Sequence, residues 1–579
     1  MSEEKTQLGY VHKMIDGFEE QFNKKIENGT LGIVKVDEES RYILFLSVGN
    51  PSIRARVYKT AATNYSKAFN NIREKAIDLV RKNQIDPQWI KIDVVNSVSQ
   101  LPFEDLQKEI AKTRKNYFRS GIAFDAGFRM AFLEQEINGN AMIRDGKNTS
   151  LQLNEKNINH YLNFNNKHNN RLPFMKKMYQ NKSVYLFNTI SIFKNRDDQQ
   201  FYDLYNGALT NGIRKIDNIK DEARLLIEHS AYYLVDQVKA DGQFEYGYFS
   251  PFAKKIGTYN ILRHSSSLYS MAEAYEVLQD KQIIDTVEKG LDYLIREAIV
   301  YKADADEETA FVVDNANHQE IKLGSSATAI LAMTKYMEMT KSDKFLKVAQ
   351  ALARGIIQMK TPSGGFVHVL SYPTFEIKDL YRIIYYEGEA IFSLLRLYEI
   401  DKNDLWLNEV KKSFDYFIAN DYWKHHDHWL SYAANELTDY IPEDIYFIFG
   451  LKNCNNRLNF IYHRETTYPT FLELTMAAYK IIDKIKKLDK LYLLEYIDED
   501  FLEKTIDKRA EYQRVGFFYP EMAMYTKDPS LILNGFFIRH HSFRVRIDDV
   551  EHYLSGYCQY LQFRIPHLQG ELDKTIIGV

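Results

Sequence analysis

The periodicity of the sequence changes once along the chain, and that change constrains the fold more than any other feature. From about Asp221 onward apolar residues recur every three to four positions, as in helices with one buried stripe. This pattern predicts helices at about 221–239, 265–279, 282–299, 325–341, 344–360, 386–399, 403–419, 428–438, 468–486, 499–513 and 547–562. Short loops join them in pairs. A helix hairpin leaves an apolar face that only a neighbouring hairpin covers. Five or six hairpins close into a ring, which removes the uncapped ends of a stack. An open solenoid is the alternative. The pairs also share a sequence echo. DQVKADGQF (Asp236 to Phe244) and IQMKTPSGGF (Ile357 to Phe366) each run from Gln-x-Lys through a glycine turn to Phe.

The first ~215 residues mix two periods. Arg41 to Gly49, Trp89 to Val98 and Ser183 to Phe193 carry the β-branched and aromatic residues of strands, and Ala61 to Lys82 reads as an amphipathic helix. The fold class expected is therefore α+β. An α/β domain over about 1–215, of unassigned role, precedes an all-α domain over about 216–579, an (α/α)6-type toroid carrying the active-site pocket.

Composition narrows the functions. A net charge of −4 gives no concentrated basic face for nucleic acid. Basic runs such as Lys480 to Lys490 read as solvated helix faces. No apolar run approaches the ~20 residues of a membrane span. Two cysteines, Cys454 and Cys558, make no disulfide framework, and the N-terminus shows no charged-then-apolar leader. The expected setting is a reducing, bacterial cytoplasm. No phosphate-binding glycine loop or Gly-x-Ser-x-Gly element is present.

In a helical ring the inner helices all begin at one end, so their first turns surround one basin. Six polar or aromatic strings fall at those starts: Arg263-His264-Ser265-Ser266-Ser267, Gly324-Ser325-Ser326, Tyr385-Tyr386-Glu387-Gly388-Glu389, His425-His426-Asp427-His428-Trp429, Arg464-Glu465-Thr466-Thr467-Tyr468 and Arg544-Val545-Arg546-Ile547-Asp548-Asp549. Helix amino ends favour anions, and arginine forks hold them. The candidate catalytic groups are Glu387, Glu389, Tyr386, His264, Asp548 and Asp549. Candidate substrate-binding groups are Arg263, Asp427, His428, Trp429, Arg464, Glu465, Arg546 and Tyr246. Each also has a plainer reading: Ser265 to Ser267 and Thr466 as helix caps, the carboxylates as partners of the helix dipole or of nearby arginines. His425 to His428 invites a metal, with His540, His541 and His552 as further ligands if folding brings them close. Without a helical two-histidine motif or nearby cysteines, no metal or other cofactor is expected.

Arg263-His264 opening one helix, Tyr386-Glu387-Gly388-Glu389-Ala390 opening another and Arg546-Ile547-Asp548-Asp549 near the C-terminus resemble the layout of α/α-toroid proteins. Six-hairpin glycosidases, sugar epimerases and glucuronyl epimerases are the nearest of these. Gly364-Gly365-Phe366 followed by the Tyr385 string resembles the last of them. The resemblance covers about 220–579 and is architectural; without a full family motif it assigns no catalytic residue. The Gln237…Asp241-Gly242-Gln243-Phe244 segment is similar to the Gln-and-Gly-Trp repeat of terpenoid cyclases, with Phe in place of Trp. The N-terminal region shows no such resemblance. The function expected is a carbohydrate-directed enzyme on an anionic sugar or surface-glycan precursor: an epimerase, lyase or hydrolase in polysaccharide biosynthesis. Alternatives are a glycan- or peptide-binding scaffold, whose N-terminal domain contacts a partner protein, and a terpenoid- or peptide-modifying toroid enzyme.

Overall fold

A computed structural model describes residues 2–83, 85–146, 150–165, 173–302 and 308–568. The chain forms two compact units, and neither is continuous in sequence. The first holds Met1–Asp217, Tyr248–Lys255 and Val515–Val545; the second holds Asn218–Gly247, Ile256–Arg514 and Arg546–Val579.

The first unit is built on an antiparallel sheet. Its long strands are Glu39–Asn50, Ile53–Ala62, Trp89–Pro102 and Ser183–Asn195. Trp89 pairs with Asn195 at one end of the central ladder, and Pro102 with Ser183 at the other. Side chains alternate across a strand. Leu44, Leu46 and Val48 therefore join one core with Ile90, Ile92 and Val94, packed with the helices Ser2–Glu27 and Tyr65–Asn83. Ile43 and Phe45 enter a second core with Trp89 and Phe187. Burial on both faces explains why Arg41 to Gly49 reads as an apolar run. The helix expected from Ala61 begins at Tyr65, because Ile53–Ala62 is a strand that pairs back on Glu39–Asn50. The segment 515–545 is anchored within this unit. Glu521 accepts from Arg214 Nε at 2.8 Å, Nη2 at 2.7 Å and the Arg214 backbone N–H at 3.2 Å. Both side chains are buried. The Gly535 carbonyl accepts the Phe518 N–H at 3.0 Å.

The second unit is a ring of helix hairpins. Its inner helices are α1 (Ile261–Leu278), α2 (Leu323–Thr340), α3 (Tyr385–Asp401), α4 (His428–Tyr440), α5 (Thr470–Lys487) and α6 (Ile547–Gln559). Each packs on the next, and α6 packs back on α1, so the ring is closed. Each inner helix follows an outer one: Ile219–Gln237, Lys281–Ala298, Leu346–Gln358, Asp404–Ala419, Asp444–Asn455 and Glu499–Gln513. This is the (α/α)6 toroid expected from the sequence. The helix Asp444–Asn455 goes unpredicted because DIYFIFGLKNCN is apolar on several faces and shows no single stripe. The sequence echo is structural as well. Val238 bridges Phe244 and Lys360 bridges Phe366, across turns in which Gly242 and Gly364 hold φ of 95° and 104°. A Cβ on Gly242 would come within 2.4 Å of the Lys289 carbonyl oxygen.

No helix among the described residues is long and apolar enough to cross a membrane. Replacing Glu521 by Gln removes the carboxylate charge that faces the buried Arg214 guanidinium. The expected loss is about 3 kcal/mol of unfolding free energy, read from the shift of a denaturant-unfolding midpoint.

Candidate active site

The first turns of the inner helices carry a ring of carboxylates. Glu387 and Glu389 lie in the first turns of α3, Asp427 caps α4, Glu473 lies in the first turn of α5, and Asp548, Asp549 and Glu551 lie at the start of α6. All are buried. Asp427 accepts from the N–H groups of Trp429 at 3.0 Å and Leu430 at 3.2 Å, which fixes the start of α4. Burial raises the Asp427 carboxyl well above its ordinary range, against those backbone bonds, with Glu387 and Glu473 adding to the rise. Glu389 is raised by burial first and then by Asp427. A Cβ on Gly324 would lie 2.0 Å from Glu389 Oε2, so only glycine there leaves room for that carboxyl.

Two histidines meet beside this ring. The imidazoles of His428 and His552 stand edge to face, 5.1 Å between centroids. His552 Nδ1 lies 3.1 Å from Glu473 Oε2 and 3.3 Å from Glu551 Oε1. Burial works against the charged form of His552, but the two carboxylates outweigh it and hold the pKa up at about 10. His428 is the opposite case. Burial, then repulsion from His552, pushes it well below its ordinary value. Its Nε2 makes no hydrogen bond and lies 4.0 Å from Glu473 Oε2. At neutral pH the site thus presents a neutral imidazole next to an imidazolium. The rings of Trp429, Tyr385 and Tyr432 surround His428 at 5.0, 5.6 and 6.2 Å.

Tyr385 also lines a cavity of about 460 Å³ at the amino ends of α3 and α5. That volume lies in the range of small-ligand sites. Its walls combine Tyr385, Tyr468 and Phe471 with Arg457, Arg464 and Lys424. Arg457 stacks on Phe460 at 3.7 Å, and Arg464 Nε donates to the Thr466 hydroxyl at 2.5 Å. Among the described residues neither arginine has a carboxylate partner, whereas Lys424 pairs with Asp421 at 2.7 Å.

The other expected groups divide by what they touch. Arg263 Nε lies 3.0 Å from Asp548 Oδ2, and its Nη1 donates to the Tyr246 hydroxyl at 2.8 Å. Arg546 Nη2 donates to Asp548 Oδ2 at 2.6 Å and lies 3.4 Å from Asp549 Oδ1. These two arginines are therefore paired with carboxylates of the protein. His264 is fully buried, with Tyr259 Oη at 2.8 Å from Nδ1 and the Gly290 carbonyl at 3.0 Å from Nε2. Burial lowers its pKa to about 4, and no ring nitrogen is left for a substrate. The Tyr386 ring lies tilted against that of His368, 5.5 Å between centroids, and His368 Nε2 lies 3.8 Å from Glu387 Oε1. Glu465 is exposed. Ser265 to Ser267 lie inside α1, whose cap is Asn260.

Glu473 and Glu551 were absent from the sequence-derived set, and His552 entered it only as a conditional metal ligand. They sit three to five positions into an inner helix, on faces that the strings at the helix starts do not reach. A charged residue one turn into a largely apolar helix was the available signal. His428, Glu473 and His552 also make a two-histidine, one-carboxylate group whose ligand atoms lie within 4.8 Å of one another. A divalent cation there would displace the proton of His552.

No family model matches the sequence, and no curated protein matches it. Several solved structures are similar to the chain. A cellobiose 2-epimerase from Bacillus thermoamylovorans aligns at 12% identity over 60% of this chain and 100% of its own, with a TM-score of 0.46. A D-mannose isomerase aligns at 11% identity over 60% and 99%, with a TM-score of 0.45. An unsaturated glucuronyl hydrolase specific for heparin aligns at 9% identity over 60% and 98%, with a TM-score of 0.43.

The His552 shift has a thermodynamic consequence. Its folded-state pKa of about 10 exceeds the ordinary 6.5. The stabilisation it contributes is complete below pH 6.5 and is lost as pH rises toward 10. The raised carboxyls of Glu473 and Glu551 slope in the same direction. Urea-unfolding midpoints should therefore fall across that alkaline window, and less steeply in His552→Gln.

Proposed function

We propose that the helical unit is a carbohydrate-directed enzyme that moves a proton on an anionic sugar or surface-glycan precursor, as an epimerase or isomerase does. The observation that carries this reading is the unlike state of two adjacent histidines. Proton transfer at a carbon next to a carbonyl needs a base to take the proton and an acid to protonate the oxygen. Neutral His428, with its unpartnered Nε2, is suited to the first task. His552, kept protonated by Glu473 and Glu551, is suited to the second. The electron pair of the broken C–H bond becomes the C=C bond of an enediol; returning a proton from the His428 imidazolium to the other face or the neighbouring carbon, while neutral His552 takes back a hydroxyl proton, re-forms a carbonyl and completes the reaction. The unpaired Arg457 and Arg464 favour a carboxylate or phosphate on the substrate, and the aromatic walls favour the face of a sugar ring. A role in making glycans within the cytoplasm belongs to the same proposal.

His428→Asn and His552→Gln should each lower kcat by about 10²–10⁴-fold, whereas Arg464→Ala should act mainly on KM. The rate should hold from neutral pH up to an alkaline limb near pH 10, where His552 loses its proton. Glu551→Gln removes a carboxylate that holds the proton, so that limb should move to lower pH. Exchange of the substrate's C–H hydrogen with deuterium from solvent reports the step directly; turnover without exchange would remove the proton-transfer assignment. The two-histidine, one-carboxylate geometry supports a second reading, in which a divalent cation supplies the electrophile. Full activity after exhaustive chelation favours the imidazolium, and activity restored only by added metal favours the cation.

A further inference from the structure

A separate cavity lies in the first unit. It measures about 90 Å³, and its walls combine Arg54, Asn140, Asn157, His160, Tyr161 and Lys527 with the apolar Pro251 and Phe252. That is room for several waters or one small ion. No carboxylate is among its described lining residues.

Arg54 makes this cavity unusual. The residue is only 6% exposed. Its Nη1 donates to Asn140 Oδ1, and its plane lies over the ring of Phe164 at 4.2 Å and of Tyr161 at 5.4 Å. Arg56 sits over the same Phe164 ring at 3.8 Å, which adds positive charge. Nε is buried with no hydrogen bond, and Nη2 makes none with any described residue. Among the described residues no carboxylate pairs with Arg54. Glu136, reached through Tyr161, is occupied by the Tyr161 hydroxyl at 2.5 Å and the Leu133 N–H at 2.7 Å. Burial and the neighbouring Arg56 both act against the Arg54 charge. A buried cation without a counter-ion costs several kcal/mol, and the Nε–Nη2 edge is the fork that takes two oxygens of one oxyanion.

We propose that this cavity is a binding site for a phosphate-type oxyanion, held by the free fork of Arg54, with Lys527 and His160 at the rim. Its charge completes the buried guanidinium as a carboxylate would. The site lies in the unit that lacks the proposed chemistry, so it stands whether or not that chemistry is correct.

The test uses the full chain and inorganic phosphate, followed by calorimetry and by phosphorus NMR line width. An Arg457→Ala, Arg464→Ala background removes the arginines of the helical unit's cavity. Saturable binding is expected, weakened at least about tenfold by Arg54→Met and by Lys527→Ala, the loss of one charge-assisted contact each. Absence of saturable binding, or equal binding by both variants, overturns the proposal. Should Arg54→Met fail to fold, the rim variant His160→Ala, Lys527→Ala decides alone. Its side chains are exposed, and undiminished binding in it overturns the site.

Discussion

Closure of the ring is the constraint on which the helical unit's candidate site depends. Six inner helices can surround one basin only if α6 returns to α1, and it does so 269 positions after α1 ends at Leu278, at Ile547. Closure brings the first turns of the inner helices together and takes their carboxylates and His428 out of water. Once out of water, the two histidines are separated by their neighbours. The same desolvation acts on both, yet two carboxylates reverse its effect on His552 and none does so for His428. In an open stack those side chains would be solvated, and both imidazoles would titrate near the ordinary value.

The architecture was legible because amphipathic helices announce themselves. Each of the eleven predicted helices corresponds to an observed one, with ends displaced by a few residues. Among the helices that the pattern misses, Asp444–Asn455 is missed for a physical reason: buried on several faces, it has no stripe to detect. The strand Ile53–Ala62 was hidden by its composition, since IRARVYKTAA alternates charged and small residues that suit a helix as well.

The site was less legible than the fold. The strings mark the starts of inner helices, but residue type does not reveal which charges have partners. Arg263, Arg464 and Arg546 look alike in sequence. Two of them meet Asp548, and Arg464 faces a cavity without an acid. His264 and His428 both follow a charged residue at a helix start, yet one spends both nitrogens on Tyr259 and Gly290 and the other keeps Nε2 free. Such differences arise from contacts between helices far apart in sequence, which a local pattern does not encode.

The Arg214–Glu521 pair also bears on how the polypeptide is made. A ribosome delivers the strands of the first unit early, but the segment that carries Glu521 emerges only after the outer helix Glu499–Gln513. Until then Arg214 is a charge awaiting its site, and the nascent sheet lacks Met524 and Tyr525 from one of its cores. The helical unit waits as well, since α6 follows that segment. Both units are thus completed by the same late stretch of chain, and a truncation before it leaves two unfinished cores rather than one finished domain.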